Sequence, residues 1–309
     1  MSHHHAHEIE DHDRGLAHDL QVMEAMIARR RALKLFAGIG GVGLLSACGG
    51  SSNGSTNVAA STGTTVTPTP TPTATATATP TPTATATQTS SGCVTIPTET
   101  AGPYPGDGTN TSRGSTSNVL TASGVVRSDI RSSFIGSTNV AAGVPVTLTL
   151  SIVDVNSACA GLANYAVYLW QCDAAGNYSL YGAAAESYLR GVQVTNAAGQ
   201  VTFTTIFPGC YDGRWPHMHF EVFSSLAAAT SGRYAVLTSQ LAMPAAAASA
   251  VYSASSTYSG SAAQFSRVSL TSDGIFGDNT SAQNAAMTPT YSGSPTNGYT
   301  MSAVIGLAR

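Results

Sequence analysis

His217-Met218-His219 sets two imidazoles two residues apart in a stretch of strand-like composition. Side chains on an extended strand alternate between faces, so both rings leave the same side, about 7 Å apart along the chain. That separation suits two ligands of one metal ion. The chain has eight histidines; six fall within the first eighteen residues, and only these two lie further on. Two imidazoles do not complete a metal shell, so other side chains must join them. Pro208-Gly209-Cys210-Tyr211-Asp212-Gly213-Arg214-Trp215-Pro216 runs directly into the pair, a turn-rich approach that delivers Tyr211 and Arg214 beside it. Taken singly, each residue also has a plainer reading: Tyr178, Tyr181 and Tyr211 as cover for a core edge, Arg214 as a surface charge, the H-x-H as a packed strand pair.

The elements that must position these residues are short β-like runs separated by Gly, Asn, Asp and Pro. From Cys93 onward they include Val144–Leu150, Tyr165–Trp170, Gln200–Ile206, His217–Phe223 and Tyr234–Leu237. Regular strand-and-turn spacing of this kind predicts an all-β fold, a β-sandwich. Only Ala245–Ala254 reads as helix, and Ser266–Leu270 and Tyr299–Leu307 read as further strands of unassigned purpose. Four cysteines follow Cys48, namely Cys93, Cys159, Cys172 and Cys210, and four allow three pairings. Cys159 and Cys172 would sit near opposite ends of one strand, roughly 25 Å apart at about 3.3 Å per residue, so they are not expected to pair. Cys172 with Cys210, each close to a candidate ligand, and Cys93 with Cys159 is the expected arrangement. No CxxC spacing is present to suggest zinc.

Three segments are expected. Residues 1–47 combine a His-rich leader with a basic start and a short apolar run, the pattern of an export signal too short to span a membrane comfortably. Arg30-Arg31 resembles a twin-arginine signal, and Leu45-Ser46-Ala47-Cys48 resembles a lipobox whose cysteine carries a lipid anchor. Residues 48–92 are Ser, Thr, Gly and Thr-Pro or Thr-Ala repeats with almost nothing to bury, expected to be a disordered, semi-rigid tether. Residues 93–309 form the folded domain, in an exported, lipid-anchored protein of the cell envelope. Beyond Cys48 there are eight Arg, no Lys and ten Asp or Glu, so no basic patch for nucleic acid can be assembled.

The stretch from Leu189 through Thr195-Asn196-Ala197-Ala198-Gly199-Gln200 to Phe207-Pro208-Gly209-Cys210-Tyr211, and on to Arg214, Pro216, His217 and His219, resembles the intradiol ring-cleavage dioxygenases. Trp170-Gln171-Cys172-Asp173-Ala174-Ala175-Gly176-Asn177-Tyr178 is similar to that family's Trp-to-Tyr segment. Thr98-Glu99-Thr100-Ala101-Gly102-Pro103-Tyr104 is similar to its T-E-G-P-Y opening motif, with Thr100-Ala101 inserted. The resemblance covers roughly Cys93 to Pro244. It implies a mononuclear non-haem Fe(III) held by Tyr178, Tyr211, His217 and His219, the hard phenolates favouring the trivalent ion. Two phenolates and one hydroxide would neutralise its three charges, which makes the site cheapest to bury. It further implies that Tyr211 releases the metal and accepts a proton, that Arg214 stabilises charge developing on the substrate, and that Gln240 supports it. The reaction implied is O₂-dependent opening of a catechol-type ring between its two hydroxyl-bearing carbons, to a cis,cis-muconate-type product. The scarcity of basic residues favours a neutral catechol or a larger phenol over a carboxylated ring. No N-terminal helical dimerisation domain of the kind catechol-type members use is evident.

Two other classes compete with this reading. One is a non-catalytic surface β-sandwich that keeps the metal site as a binding module. The other is a transthyretin-like structural sandwich with an incidental copper or zinc at the two histidines. Iron content, colour and oxygen uptake separate the three.

Overall fold

A computed structural model describes residues 93–112 and 115–309. The expected signal segment, Cys48 and the Thr/Pro tether lie outside the described residues. The strands are β1 (Asp107–Ser112), β2 (Ser115–Asn118), β3 (Pro145–Asp154), β4 (Ala160–Gly161), β5 (Ala166–Trp170), β6 (Arg190–Val194), β7 (Gln200–Ile206), β8 (His217–Phe223), β9 (Leu237–Ala242), β10 (Thr290–Ser294) and β11 (Gly298–Leu307). The helices are α1 (Ala245–Ala254), α2 (Ser261–Phe265) and α3 (Ser281–Met287).

One sheet runs β10, β11, β3, and the far edge of β3 is shared by β7 and β4. The other runs β6, β5, β8, β9 and is antiparallel throughout. β11 lies parallel to β3 from Tyr299 opposite Val146 to Leu307 opposite Asp154, a pairing that needs the long connection through the C-terminal segment. The alternation in Val146-Thr147-Leu148-Thr149-Leu150-Ser151-Ile152 turns Val146, Leu148, Leu150 and Ile152 into the core and leaves the polar partners outward. Phe203 of β7 and Met301 and Ile305 of β11 join them. Val167 and Leu169 of β5 and Met218, Phe220 and Val222 of β8 meet them from the facing sheet.

β5 and β8 are buried on both faces. Their outward set, Ala166, Tyr168 and Trp170 with His217, His219, Glu221 and Phe223, is therefore covered by more protein. That cover brings Val119, Leu120, Val125, Tyr178 and Tyr211 against Tyr168 and Trp170 in a second apolar cluster. The metal-type residues sit on this outer face of the second sheet, under a lid of loops.

The expected strands at 144–150, 165–170, 200–206, 217–223 and 299–307 correspond to β3, β5, β7, β8 and β11, and the expected helix coincides with α1. Three expectations are corrected. Tyr234 closes a 3-10 turn, Gly232–Tyr234, capped by Ser231, and the strand begins only at Leu237. Ser266–Leu270 is no strand: Ser266 Oγ and Ser269 Oγ bond locally, forming turns after α2. Cys93 is disulfide-bonded to Cys159 as expected, but Cys172 and Cys210 are not joined. Each buried thiol donates to a backbone carbonyl instead, Cys172 to Gly209 and Cys210 to Arg214.

Candidate metal centre

His217 and His219 project from β8 on the face away from the core, as their spacing requires. Trp170 of β5 and Gln240 of β9 stand directly opposite His219 on either side. The Trp170 ring stacks on the His219 ring at 4.9 Å and 7°. Tyr178 and Tyr211 arrive from loops. Asp173 Oδ1 accepts from the Ala175 and Asn177 amides, an Asx-type turn that aims Tyr178. The Gly209 amide donates to the Asp173 carbonyl, tying the Tyr211 loop to the Tyr178 loop. Gly176, at φ +82°, is needed where they touch, since a Cβ there would lie 3.1 Å from Tyr211 Cβ.

The four functional atoms converge. Tyr178 Oη lies 3.3 Å from Tyr211 Oη, 3.3 Å from His217 Nε2 and 3.1 Å from His219 Nε2. His217 Nε2 lies 3.0 Å from Tyr211 Oη and 3.1 Å from His219 Nε2. All four residues are buried. Arg214 and Gln240 reach the same place: Arg214 Nη2 donates to Gln240 Oε1 at 2.7 Å, and Gln240 Nε2 donates to the Thr100 carbonyl at 2.9 Å. The structure thus brings together Tyr178, Tyr211, Arg214, His217, His219 and Gln240. Tyr181 stands apart, accepting from the Gly106 amide and donating to Asn110 Oδ1.

Burial sets the protonation states. It lowers the pKa values of His217 and His219 well below the usual imidazole range, and the Arg214 charge reinforces the shift. It raises the phenols of Tyr178 and Tyr211 above theirs. Without a cation the cluster is therefore neutral. For Arg214, burial opposes the charge, but the Asp273 carboxylate, by its charge and its hydrogen bond, holds the guanidinium ionised.

This donor set fits a metal ion. His217 Nδ1 donates to the Trp215 carbonyl, which leaves Nε2 as a bare lone pair aimed at the centre. Five short separations then share at most the two phenolic protons and one on His219, too few for each to be a hydrogen bond. Donors 3.0–3.3 Å apart are what a single ion imposes when each ligand binds it at about 2.0–2.2 Å. Among the described residues no three His, Cys, Asp or Glu gather to hold a metal, so the phenolic oxygens are indispensable to this centre.

Sequence reasoning passed over Arg190. It is fully buried on β6 and makes five hydrogen bonds: to Ser179 Oγ and the Ser179 carbonyl, to Tyr168 Oη, and to the carbonyls of Tyr104 and Pro105. It stitches the Tyr104 segment and the residue after Tyr178 to the sheet. Its isolation among apolar strand residues in Tyr188-Leu189-Arg190-Gly191-Val192 is the signal that could have found it. Sequence reasoning also gave no role to Asp273, whose carboxylate meets Arg214 Nε at 2.9 Å; in Thr271-Ser272-Asp273-Gly274 it reads as an ordinary turn.

Residues 131–245 match the family model described as "Dioxygenase". That segment contains every residue from Trp170 to His219 on which the intradiol resemblance rests, with Gln240 besides. Several solved structures described as dioxygenases are similar to the chain. An intradiol ring-cleavage dioxygenase from Tetranychus urticae is 25% identical, with 60% of this chain and 87% of that one covered at a TM-score of 0.48. The dioxygenase domain of a dioxygenase carbohydrate-binding protein fusion from Streptomyces sp. SirexAA-E is 25% identical over 59% of this chain and 88% of that one, TM-score 0.38. 3-Chlorocatechol 1,2-dioxygenase from Rhodococcus opacus 1CP is 17% identical over 60% and 68%, TM-score 0.40. No curated protein matches the chain.

Proposed function

We propose that this protein is an Fe(III)-dependent intradiol dioxygenase that opens a catechol-type ring with O₂ to a cis,cis-muconate-type product. The observation that carries the reading is the convergence of two phenolic oxygens and two imidazole nitrogens within 3.0–3.3 Å of one another. Tyr178, Tyr211, His217 and His219 would hold the ion. Bound there, a ferric ion would supply the Lewis acidity that makes a catechol-type ring reactive toward O₂ with no external reductant.

The chain's own residues do the rest. Tyr178 Oη touches all three other donor atoms, whereas Tyr211 Oη closely approaches only Tyr178 and His217. Tyr178 would thus stay among the residues that hold the ion, and Tyr211, the slightly more exposed of the two, would be the one to take up a substrate proton at Oη. The His217 tautomer is set by Trp215, and the Trp170 face against His219 excludes water from that side. Arg214, fixed in an ionised state, offers its guanidinium to negative charge developing on the substrate; Gln240 holds it through Nη2. Gly102, at φ +68°, brings its backbone against His219 where a Cβ would lie 3.3 Å from Cε1.

Residues 1–47 fit an export signal, Cys48 a lipid anchor and residues 48–92 a tether that holds the domain 93–309 at the cell envelope. The Cys93–Cys159 disulfide supports an oxidising compartment. Metal analysis with a visible spectrum tests the central reading: purified protein should contain about one iron per chain and be red to burgundy from tyrosinate-to-iron charge transfer. Oxygen uptake with catechol, hydroxyquinol and protocatechuate then tests turnover. Colourless, iron-free protein that neither takes up added iron nor consumes oxygen with these substrates overturns it.

A further inference from the structure

We propose that Asp273, contributed by the C-terminal segment beyond the family-matched residues, is a positioning residue that aims the Arg214 guanidinium at the reacting ring. The inference rests on the dioxygenase reading above and deepens it. Asp273 is buried, and both of its carboxylate oxygens are committed. Oδ1 accepts from the amides of Ile275 and Phe276 at 2.8 and 3.0 Å, which fixes the carboxylate from its own side. Oδ2 accepts from Arg214 Nε at 2.9 Å and from the Trp215 amide at 2.6 Å, which seizes the short loop between Tyr211 and His217. With Nη2 held by Gln240, the guanidinium is gripped at two nitrogens. Among the described residues Nη1 makes no hydrogen bond, and it is the nitrogen left to face a substrate. A planar fork fixed in this way has already lost its rotamer freedom, so ordering it adds nothing to the barrier.

The rest of the C-terminal segment braces the same loop. Tyr252 Oη donates to the Pro208 carbonyl, Tyr258 Oη to the Phe207 carbonyl, and the Cys210 amide donates to Ser261 Oγ. Residues 245–309, which matched nothing in the sequence reading, thus hold the stretch that carries Tyr211 and Arg214.

Asp273→Asn separates positioning from turn-making. An Asn can keep its oxygen on the Ile275 and Phe276 amides, but it then turns an NH₂ donor toward Arg214 Nε and the Trp215 N–H, two donors it can only repel. The expected result is a fall in kcat of about 10- to 100-fold, the range for loss of an outer-sphere partner, with KM little changed and the iron-tyrosinate spectrum retained. Because Asp273 acts through Arg214, the fall should vanish in the Arg214→Ala background. Asp273→Glu, which keeps the charge, should recover part of the rate. A kcat equal to that of the unmodified protein, or a fall of the same size in both backgrounds, overturns the proposal. Should D273N not fold, Asp273→Ser, which keeps an oxygen for the local amides but not the charge, takes its place in the same cycle and is read the same way. Unmodified protein without iron or turnover counts against the dioxygenase reading and not against this one. The Arg214 Nε–H signal in ¹⁵N spectra then decides: faster solvent exchange in D273N supports the clamp, and unchanged exchange overturns it.

Discussion

Replacing Tyr178 by Phe removes one oxygen atom, and its two consequences differ in size. In the metal-free protein Oη makes only contacts of 3.1–3.3 Å with three neutral partners. Their loss costs about 1 kcal/mol, the net worth of an ordinary hydrogen bond. For a domain of this size that lowers Tm by about 2–4 °C, so the fold survives. In the loaded protein the same change removes one of two anionic ligands from a trivalent ion in a buried site. The centre then keeps an uncompensated positive charge, and an unpaired buried charge costs about 3–5 kcal/mol. At about 1.4 kcal/mol per tenfold, iron affinity should fall by roughly 10²- to 10³-fold or more. The assay is iron per chain by metal analysis after dialysis against a graded chelator, alongside the visible spectrum and a thermal melt. Y178F should melt close to the unmodified protein but lose iron at far lower chelator concentration and lose its colour. Tyr181→Phe is the control, because that hydroxyl serves Gly106 and Asn110 and should leave iron untouched. Y178F that holds iron as tightly as the unmodified protein, with the same spectrum, refutes the assignment of Tyr178 as a ligand.

Arg214→Lys should lower kcat by about 10²- to 10³-fold while leaving iron content intact, since a lysine cannot span Asp273 and Gln240 at once; steady-state oxygen uptake reads it. Gly102→Ala should strain a backbone at φ +68° by about 1 kcal/mol and crowd His219, seen as a lower Tm and a raised KM for catechol. Glu99 has its pKa raised to about 7, chiefly by burial, with Asn279 opposing. A carboxyl raised in the folded state contributes stability fully present below its unfolded value of 4.5 and lost as pH rises through about 7. Urea titrations should therefore show stability declining across that window, and Glu99→Gln should flatten the decline. Removing the Cys93–Cys159 disulfide, which spans 66 residues, should destabilise the domain by about 4 kcal/mol at most, read from the denaturant midpoint under non-reducing conditions.

What the sequence disclosed and what it hid follow from how local each cause is. β3, β7 and β8 were legible because Thr and Val alternation, or an apolar run bounded by Pro and Gly, is written into the strand itself. So was the shared face of His217 and His219, a consequence of the two-residue period. That Tyr178 and Tyr211 arrive at those imidazoles depends on the Gly209-to-Asp173 bond between two loops 36 residues apart, and spacing alone does not contain it; only the family resemblance supplied it. The Cys172–Cys210 expectation failed for the same reason. Both thiols lie beside the ligand loops, but whether two buried sulfurs bond or donate to carbonyls is decided by backbone carbonyls that no sequence pattern places.

The C-terminal segment is the sharpest case. Ser266–Leu270 looked like a strand because Val and Leu alternate with Ser, yet the serines satisfy the local backbone and the chain turns instead. That turn is what brings Asp273 beneath Arg214. β11, by contrast, is a true strand, but its parallel partner β3 lies some 150 residues earlier, and the intervening connection is what wraps α1, Tyr258 and Asp273 around the Tyr211 loop. A strand that completes one sheet thereby obliges its connection to brace the centre carried on the other. The family-matched residues 131–245 supply the four donors, and the residues after them supply the rigidity with which Arg214 is held. Deleting the C-terminal segment would therefore expose the core along β3 and release Arg214 in one step.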